Sequence, residues 1–285
     1  MKPLKLIPLL LVATAAAAGA THGILLVSDQ VDGVSSPQLF DSYYENAVLN
    51  AGYTYTKWDH PTQGSPSYAV LAPYKVVIWY TSTSGQAPAS DPLYGSLTLT
   101  AAEQDALCQY LWQTPGTTTV LLSGMYFAWN CVADAEHEVQ LYKPLFSDYL
   151  KLNYPHDNFT NWILVEDNWK YGGESSCPIF QGKNYVVNWR HYTNYPDQLE
   201  AGSGGAASAW WVDLANAHHH RSVIRAEGSK PNGGHYRIVL FSCPFENILH
   251  DTDRTAVMKN FLDWAGVSES EVAPASWGQI KTLFR

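Results

Sequence analysis

Residues 75–80 read KVVIWY, five apolar residues behind one lysine, and the run stops at the polar Thr81-Ser82-Thr83-Ser84. A strand without polar alternation is buried on both faces, as in a parallel sheet covered by helices. Two further runs share this pattern: Ile24–Val27 within GILLVSDQ (23–30), and TTVLLS (118–123). Between the first two, Phe40, Tyr43, Tyr44, Ala47, Val48 and Ala51 recur at helical spacing, and Gly52 follows as a C-terminal cap. A short strand is expected around Tyr53–Trp58. Ahead of the third run, Thr100 and Glu103 form a capping box that opens a helix through Ala106, Leu107, Tyr110 and Leu111 to about Gln113. After it, Val139, Tyr142, Phe146 and Tyr149 share a helical face. Alternation of this kind predicts an α/β fold with a doubly wound, mostly parallel sheet.

RSVIRAEG (221–228), the turn residues SKPNGG and HYRIVLFS (235–242) read as a hairpin whose second strand joins that sheet. A closing helix carries Val257, Met258, Phe261, Leu262 and Ala265 on one side, and Gly266 ends it. From Lys151 to about Asp213 the periodicity gives way to Tyr, Trp, Asn and Gly, with short strands at 162–165 and 185–189, and this stretch reads as an aromatic-rich insertion. The expected organisation is a signal peptide over 1–20, one α/β domain over 21–267 with the insertion at about 151–213, and a linker and tail over 268–285.

The first twenty of the 285 residues carry Lys2 and Lys5, an apolar run and the small-residue end Ala18-Gly19-Ala20, the pattern of a bacterial export signal. Its removal makes the formal charge of -9 more negative by two. An acidic chain without a basic patch disfavours nucleic acid. An apolar fraction of 46% against 15% charged residues argues for a packed core, and no later stretch has the ~18 uninterrupted apolar residues of a membrane helix. Four cysteines in an exported chain suggest two disulfides. Of the three possible connectivities, Cys108–Cys131 with Cys177–Cys243 is the expected one.

Several of these stretches resemble a known family. ILLVSDQ with SYYENAVLNAGYTYTKWD, SPSYAVLAPYKVVIWYT with LTLTAAEQDALCQYL, and FSCPFENI with the last helix look like the class I glutamine amidotransferase-like (flavodoxin-like) domain of secreted bacterial proteins, often appended to exported peptidases and surface proteins. YPDQLEAG (195–202) and the alanine-rich stretch after it fit the same pattern, and the resemblance spans about residues 22–267. In class I amidotransferases a glycine lies two residues before a cysteine nucleophile, in a tight turn at the end of a strand. If Gly124 matches that glycine, Tyr126 stands in the place of the nucleophile. A phenol with a pKa near about 10 is a poor acyl-transfer nucleophile at neutral pH. Ser123 is the other hydroxyl at this elbow, but it lies outside a GxSxG motif. The elbow is therefore expected to be catalytically empty.

Ligands of open α/β sheets bind beyond the carboxyl ends of the strands. The candidates there are Ser28, Asp29 and Asp32 after the first strand, Tyr80 and Thr81 after KVVIWY, Gly124 and Tyr126 at the elbow, and Glu246 after the last strand. Their alternative role is to cap helices and bind loop backbone. Glu246, following a buried strand, is expected to hold a neighbouring loop. His218, His219 and His220 cannot all face one way, and the other histidines, His60 among them, show no ligand spacing, so neither metal nor cofactor is expected. Cys243 as a nucleophile, with His235 or His250 as base, is disfavoured by the export route.

These residues lead to the expectation of an exported, non-catalytic binding or assembly module at the bacterial surface or in the periplasm. Its partner would be a protein or glycan met by exposed rings of the insertion: Trp162, Trp169, Tyr171, Trp189, Tyr192, Tyr195, Trp210 and Trp211. In the tail, Trp277, Ile280, Leu283 and Phe284 would form a small apolar face read by a sorting or docking partner, or fold back on the domain. The alternatives are a hydrolase using Asp29, Asp32 and Glu246 as acid and base, and a self-assembling subunit.

Overall fold

The computed structural model describes residues 22–29, 37–82, 99–124, 127, 144–156, 169–187, 198–212 and 217–268. Asp32, Met125, Tyr126, Cys131, Trp162, Trp189, Tyr192, Tyr195 and the tail from 269 lie outside these residues, as do the side chains of His218, His219 and His220.

Five strands form a parallel core in the order β2-β1-β3-β4-β11: β1 (His22–Ser28), β2 (Thr56–Asp59), β3 (Tyr74–Ser82), β4 (Thr118–Gly124) and β11 (His235–Phe241). The KVVIWY strand lies at the centre of its neighbours, with Val76 beside Ile24 on one side and Thr119 on the other. Helix α1 (Pro37–Asn50) and helix α5 (Asp251–Trp264) pack one face, where Tyr44, Val48, Met258 and Phe261 meet Leu26, Ile78 and Val239. Helix α4 (Ala101–Gln113) covers the other, where Leu107, Tyr110 and Leu111 meet Val77, Trp79 and Leu122. The short helices α2 (His60–Gln63) and α3 (Tyr68–Leu71) link β2 to β3. The two apolar sets alternate along each strand, as burial on both faces requires.

The local signals act as expected at several points. Thr100 caps α4 by accepting from the Glu103 amide, and the Glu103 carboxylate accepts from the Thr100 amide at 2.6 Å. Gly52 and Gly266 end α1 and α5 with φ of 91° and 74°, which only glycine adopts without strain. The hairpin of β10 (His218–Ser229) and β11 is antiparallel, and β11 joins β4 in parallel.

Of the eight rings named in the aromatic segment, Trp169, Tyr171, Trp210 and Trp211 fall among the described residues, and the described part of the segment is built into the main sheet. It continues the sheet antiparallel beyond β10 through β9 (Gly205–Val212), β6 (Lys170–Gly173) and β7 (Asn184–Val186), while β5 (Leu152–His156) pairs with β8 (Gln198–Ala201). Trp169, Tyr171 and Trp211 are buried in the same core as α1 and α5, and Tyr171 stacks on Trp211 at 5.0 Å. Trp210 is half-buried, held by the Glu174 carboxylate and by the Arg221 guanidinium 4.8 Å from its ring centroid. These rings pack because a twisted antiparallel extension needs large side chains to fill the space beside α5. Trp112 on α4, 44% exposed, is instead the large ring left open among the described residues.

The disulfide expectation is also corrected. Cys108, Cys177 and Cys243 are free thiols. Cys177 and Cys243 share one apolar core without bonding, and Cys243 Sγ accepts from Asn247 Nδ2 at 3.2 Å. Both cysteines fill core volume here, a role in which the thiol behaves as a small apolar group.

Candidate functional site at the carboxyl edge of the sheet

At the edge where β1 and β3 end, the strand order reverses, since β2 lies on one side of β1 and β3 on the other. Strand alternation divides the polar residues of this edge into two clusters. Ser28 and Tyr80, register partners, face α1; Trp79 faces α4 together with Asp29, which its indole reaches.

The α1-side cluster is closed. Tyr80 and Ser28 each donate to Asp41 Oδ1 at 2.7 Å, and Lys57 reaches the other oxygen of Asp41. Tyr44 stacks on Tyr80, with ring centroids 3.9 Å apart. The Tyr44 hydroxyl donates to Glu246 Oε2 at 2.6 Å. Its only proton being used there, the Ser123 hydroxyl must donate to Tyr44 across 2.7 Å, and Ser123 also accepts from the Phe245 amide at 2.8 Å. Burial pushes the Tyr44 and Tyr80 phenols well above their ordinary range, and the carboxylates beside them add to it. Ser123, Tyr80 and Glu246 are thus cross-links of a buried interior, and Glu246 ties the short 3₁₀ helix Phe245–Asn247 to Tyr44 of α1. Gly124 is packed as well: a Cβ there would lie 2.0 Å from Thr81 Oγ1 and 3.0 Å from the Phe127 ring. Thr81 and Gly124 therefore meet each other and form no ligand cavity between them.

The α4-side cluster is open to solvent at one residue. His60 Nδ1 lies 3.1 Å from Asp29 Oδ1, and His60 Nε2 lies 2.7 Å from Glu103 Oε1. The side chains of Asp29 and Glu103 are 8% and 2% exposed, that of His60 23%. Three elements meet here, with Asp29 following β1, His60 opening α2 and Glu103 in the first turn of α4. Each carboxylate is also anchored from outside: Trp79 Nε1 donates to Asp29 Oδ2 at 3.0 Å, the Thr100 amide to Glu103 Oε2, and Ser65 Oγ to Glu103 Oε1 at 2.6 Å. Burial raises the Asp29 carboxyl to about 6, against the opposing pull of His60 and Trp79. Burial also pushes Glu103 upward, but the hydrogen bonds from His60, Ser65 and Thr100 outweigh it and hold Glu103 below its usual value. The hydrogen bond to Glu103 raises His60.

Among the described residues that the sequence marked as ligand candidates, Asp29 alone belongs to this open cluster. Its two partners carried other readings: Glu103 stood as half of a capping box, and His60 as a histidine without ligand spacing. Their sequence separations of 31 and 43 residues match no ligand motif, because the parallel sheet and not a local turn brings them together. The one usable signal was position, since His60 follows directly on the second strand's end.

The architecture is a mixed α/β sheet with a parallel core, consistent with a flavodoxin-like fold. No protein-family model and no curated protein matches the sequence. Among solved structures, the chain is similar to a ThuA-like protein from Bacteroides uniformis, at 12% identity over 87% of this chain and 93% of that one, with a TM-score of 0.47. It is also similar to an IFT52 N-terminal domain, at 12% identity over 86% and 98%, with a TM-score of 0.49. A third likeness is to Agd3, a carbohydrate deacetylase, at 11% identity over 86% of this chain and 32% of that one, with a TM-score of 0.50. The chain thus spans about a third of Agd3, and the likeness is one of fold.

Proposed function

We propose that this protein is an exported, non-catalytic binding module with a doubly wound, amidotransferase-like fold, and that it takes a glycan at the open Asp29–His60–Glu103 cluster. The carrying observation is the state of Ser123: its proton goes to Tyr44, its lone pair accepts from Phe245, and no part of it reaches solvent. A serine so engaged is not available as a nucleophile. Carboxylates beside an accessible imidazole suit hydroxyl groups, which donate to the former and accept from the latter. The acidic charge of the chain works against polyanions and in favour of neutral or amino sugars. In this reading the tail from Trp277 to Phe284 serves sorting or docking outside the cell.

The fluorescently labelled chain on an array of bacterial and plant polysaccharides tests this. Binding that is lost in His60→Ala and kept in Ser123→Ala supports it; binding that survives His60→Ala contradicts the site.

A hydrolase is the second reading, and one observation favours it. Asp29 and Glu103 present oxygens within 4.8 Å of each other, and their environments push the two carboxyls in opposite directions. Such separation is what acid–base pairs require. Against it, the Glu103 carboxylate accepts from His60, Ser65 and the Thr100 amide, bonds that a substrate proton would have to displace.

A further inference from the structure

We propose that Asp29, His60 and Glu103 bind a divalent transition metal, zinc being the best match, and that this ion completes the ligand site. The three residues offer one carboxylate oxygen, one ring nitrogen and a second carboxylate oxygen, all within 4.8 Å of one another. Nitrogen and carboxylate oxygen together are the donors of zinc, whereas calcium and magnesium take oxygen alone. Three protein ligands leave a fourth tetrahedral position open, as in zinc sites that bind water or another oxygen donor. A sugar hydroxyl is such a donor.

The second observation is how the donors are held. Trp79 Nε1 occupies Asp29 Oδ2 and the Thr100 amide occupies Glu103 Oε2, so that Asp29 Oδ1 and Glu103 Oε1 are the oxygens turned toward His60, Oε1 also accepting from Ser65 Oγ. Outer hydrogen bonds that fix which ligand atom faces inward are the supporting structure that metal sites require. Two of the three ligands follow strand ends or open helices at the reversal of strand order, and the half-exposed His60 provides the entry path. Without metal, His60 faces Asp29 with Nδ1 and Glu103 with Nε2, and it donates to both only with a proton on each nitrogen. The ion would take the place of one of these protons, since a ligating imidazole is neutral.

This inference rests on reading the open cluster as the ligand site. Its test is a titration of the untagged, chelator-stripped chain with zinc at pH 7.5, read by calorimetry, with cobalt absorbance for geometry and magnesium as the hard-cation control. One zinc per chain, proton release on binding, a tetrahedral cobalt spectrum and no magnesium binding are expected. His60→Ala and Asp29→Asn should weaken zinc by about tenfold or more. The triple change His218→Ala, His219→Ala and His220→Ala should leave zinc unchanged. Asp29→Asn keeps an oxygen for Trp79 and serves if His60→Ala does not fold. No zinc binding, or binding indifferent to both His60→Ala and Asp29→Asn, overturns the assignment. Glycan binding through His60 without zinc would sink the metal and leave the glycan reading standing, while zinc binding without glycan would do the reverse.

Discussion

The Ser123 hydroxyl lies 2.7 Å from the Tyr44 hydroxyl, and Tyr44 in turn donates to Glu246 at 2.6 Å. Three elements far apart in sequence, β4, α1 and the segment after β11, are tied by this buried chain at the carboxyl end of β4. The bonds tie these elements together and engage both the proton and a lone pair of the serine.

Ser123→Ala therefore acts on stability. It removes the acceptor of the Phe245 amide inside the core, and an unsatisfied buried group costs about 1–3 kcal/mol. Tyr44→Phe, which takes the donor from Glu246, should cost a similar amount. Urea unfolding measures both, and a midpoint unchanged in each variant would show that the chain contributes nothing.

Thr100→Ala couples the helix cap to the open cluster. Loss of an N-cap costs about 0.5–2 kcal/mol, and here the Glu103 carboxylate also loses a side chain that orders its turn. The expected result is lower stability together with weaker zinc binding. Full zinc affinity in the variant would mean that the cap does not position Glu103.

Lys230 supplies a pH test. Its ammonium donates to Thr114 O at 3.0 Å and to Thr118 Oγ1 at 2.6 Å, and burial lowers its pKa to about 8. An unfolded lysine keeps its proton to about pH 10.4. Between these values the unfolded chain holds more protons than the folded one, so stability attributable to Lys230 rises as pH climbs from 8 to 10 and is flat below that window. Denaturation at pH 8 and pH 10 should show this rise in the native chain relative to Lys230→Met. A parallel response of the two proteins would contradict it.

The thiols give a chemical check. Burial pushes Cys108 and Cys243 up to about 12, where the reactive thiolate is scarce. Iodoacetamide at pH 8 should label neither in the folded protein and both after denaturation. Peptide mapping without reductant should find Cys177 and Cys243 unlinked, and a Cys177–Cys243 crosslink would disprove the packing described for them.

Elements with local signals were legible in the sequence. The apolar strands Ile24–Val27 and Val76–Tyr80, the Thr100–Glu103 cap and the glycine stops at 52 and 266 each depend on neighbours within a few residues, and each stands where its pattern placed it. That the aromatic segment extends the sheet was not legible, because rings such as Tyr171 and Trp211, register partners on one face, alternate over strands too short to show a period. The open cluster was legible only at Asp29. His60 and Glu103 reach it through parallel strand order, a long-range relation that carries no spacing in the chain. The free thiols differ from the expectation because cysteine count reports a compartment's chemistry, whereas core packing decides whether two sulfurs meet.

The central claim is that ligands are met at His60 and that the elbow at Ser123 is silent. Turnover of p-nitrophenyl acetate and p-nitrophenyl glycosides, compared between the native chain, Ser123→Ala and His60→Ala, tests it most directly. The account predicts no saturable turnover in any of the three. Saturable hydrolysis by the native chain that vanishes in Ser123→Ala would contradict it.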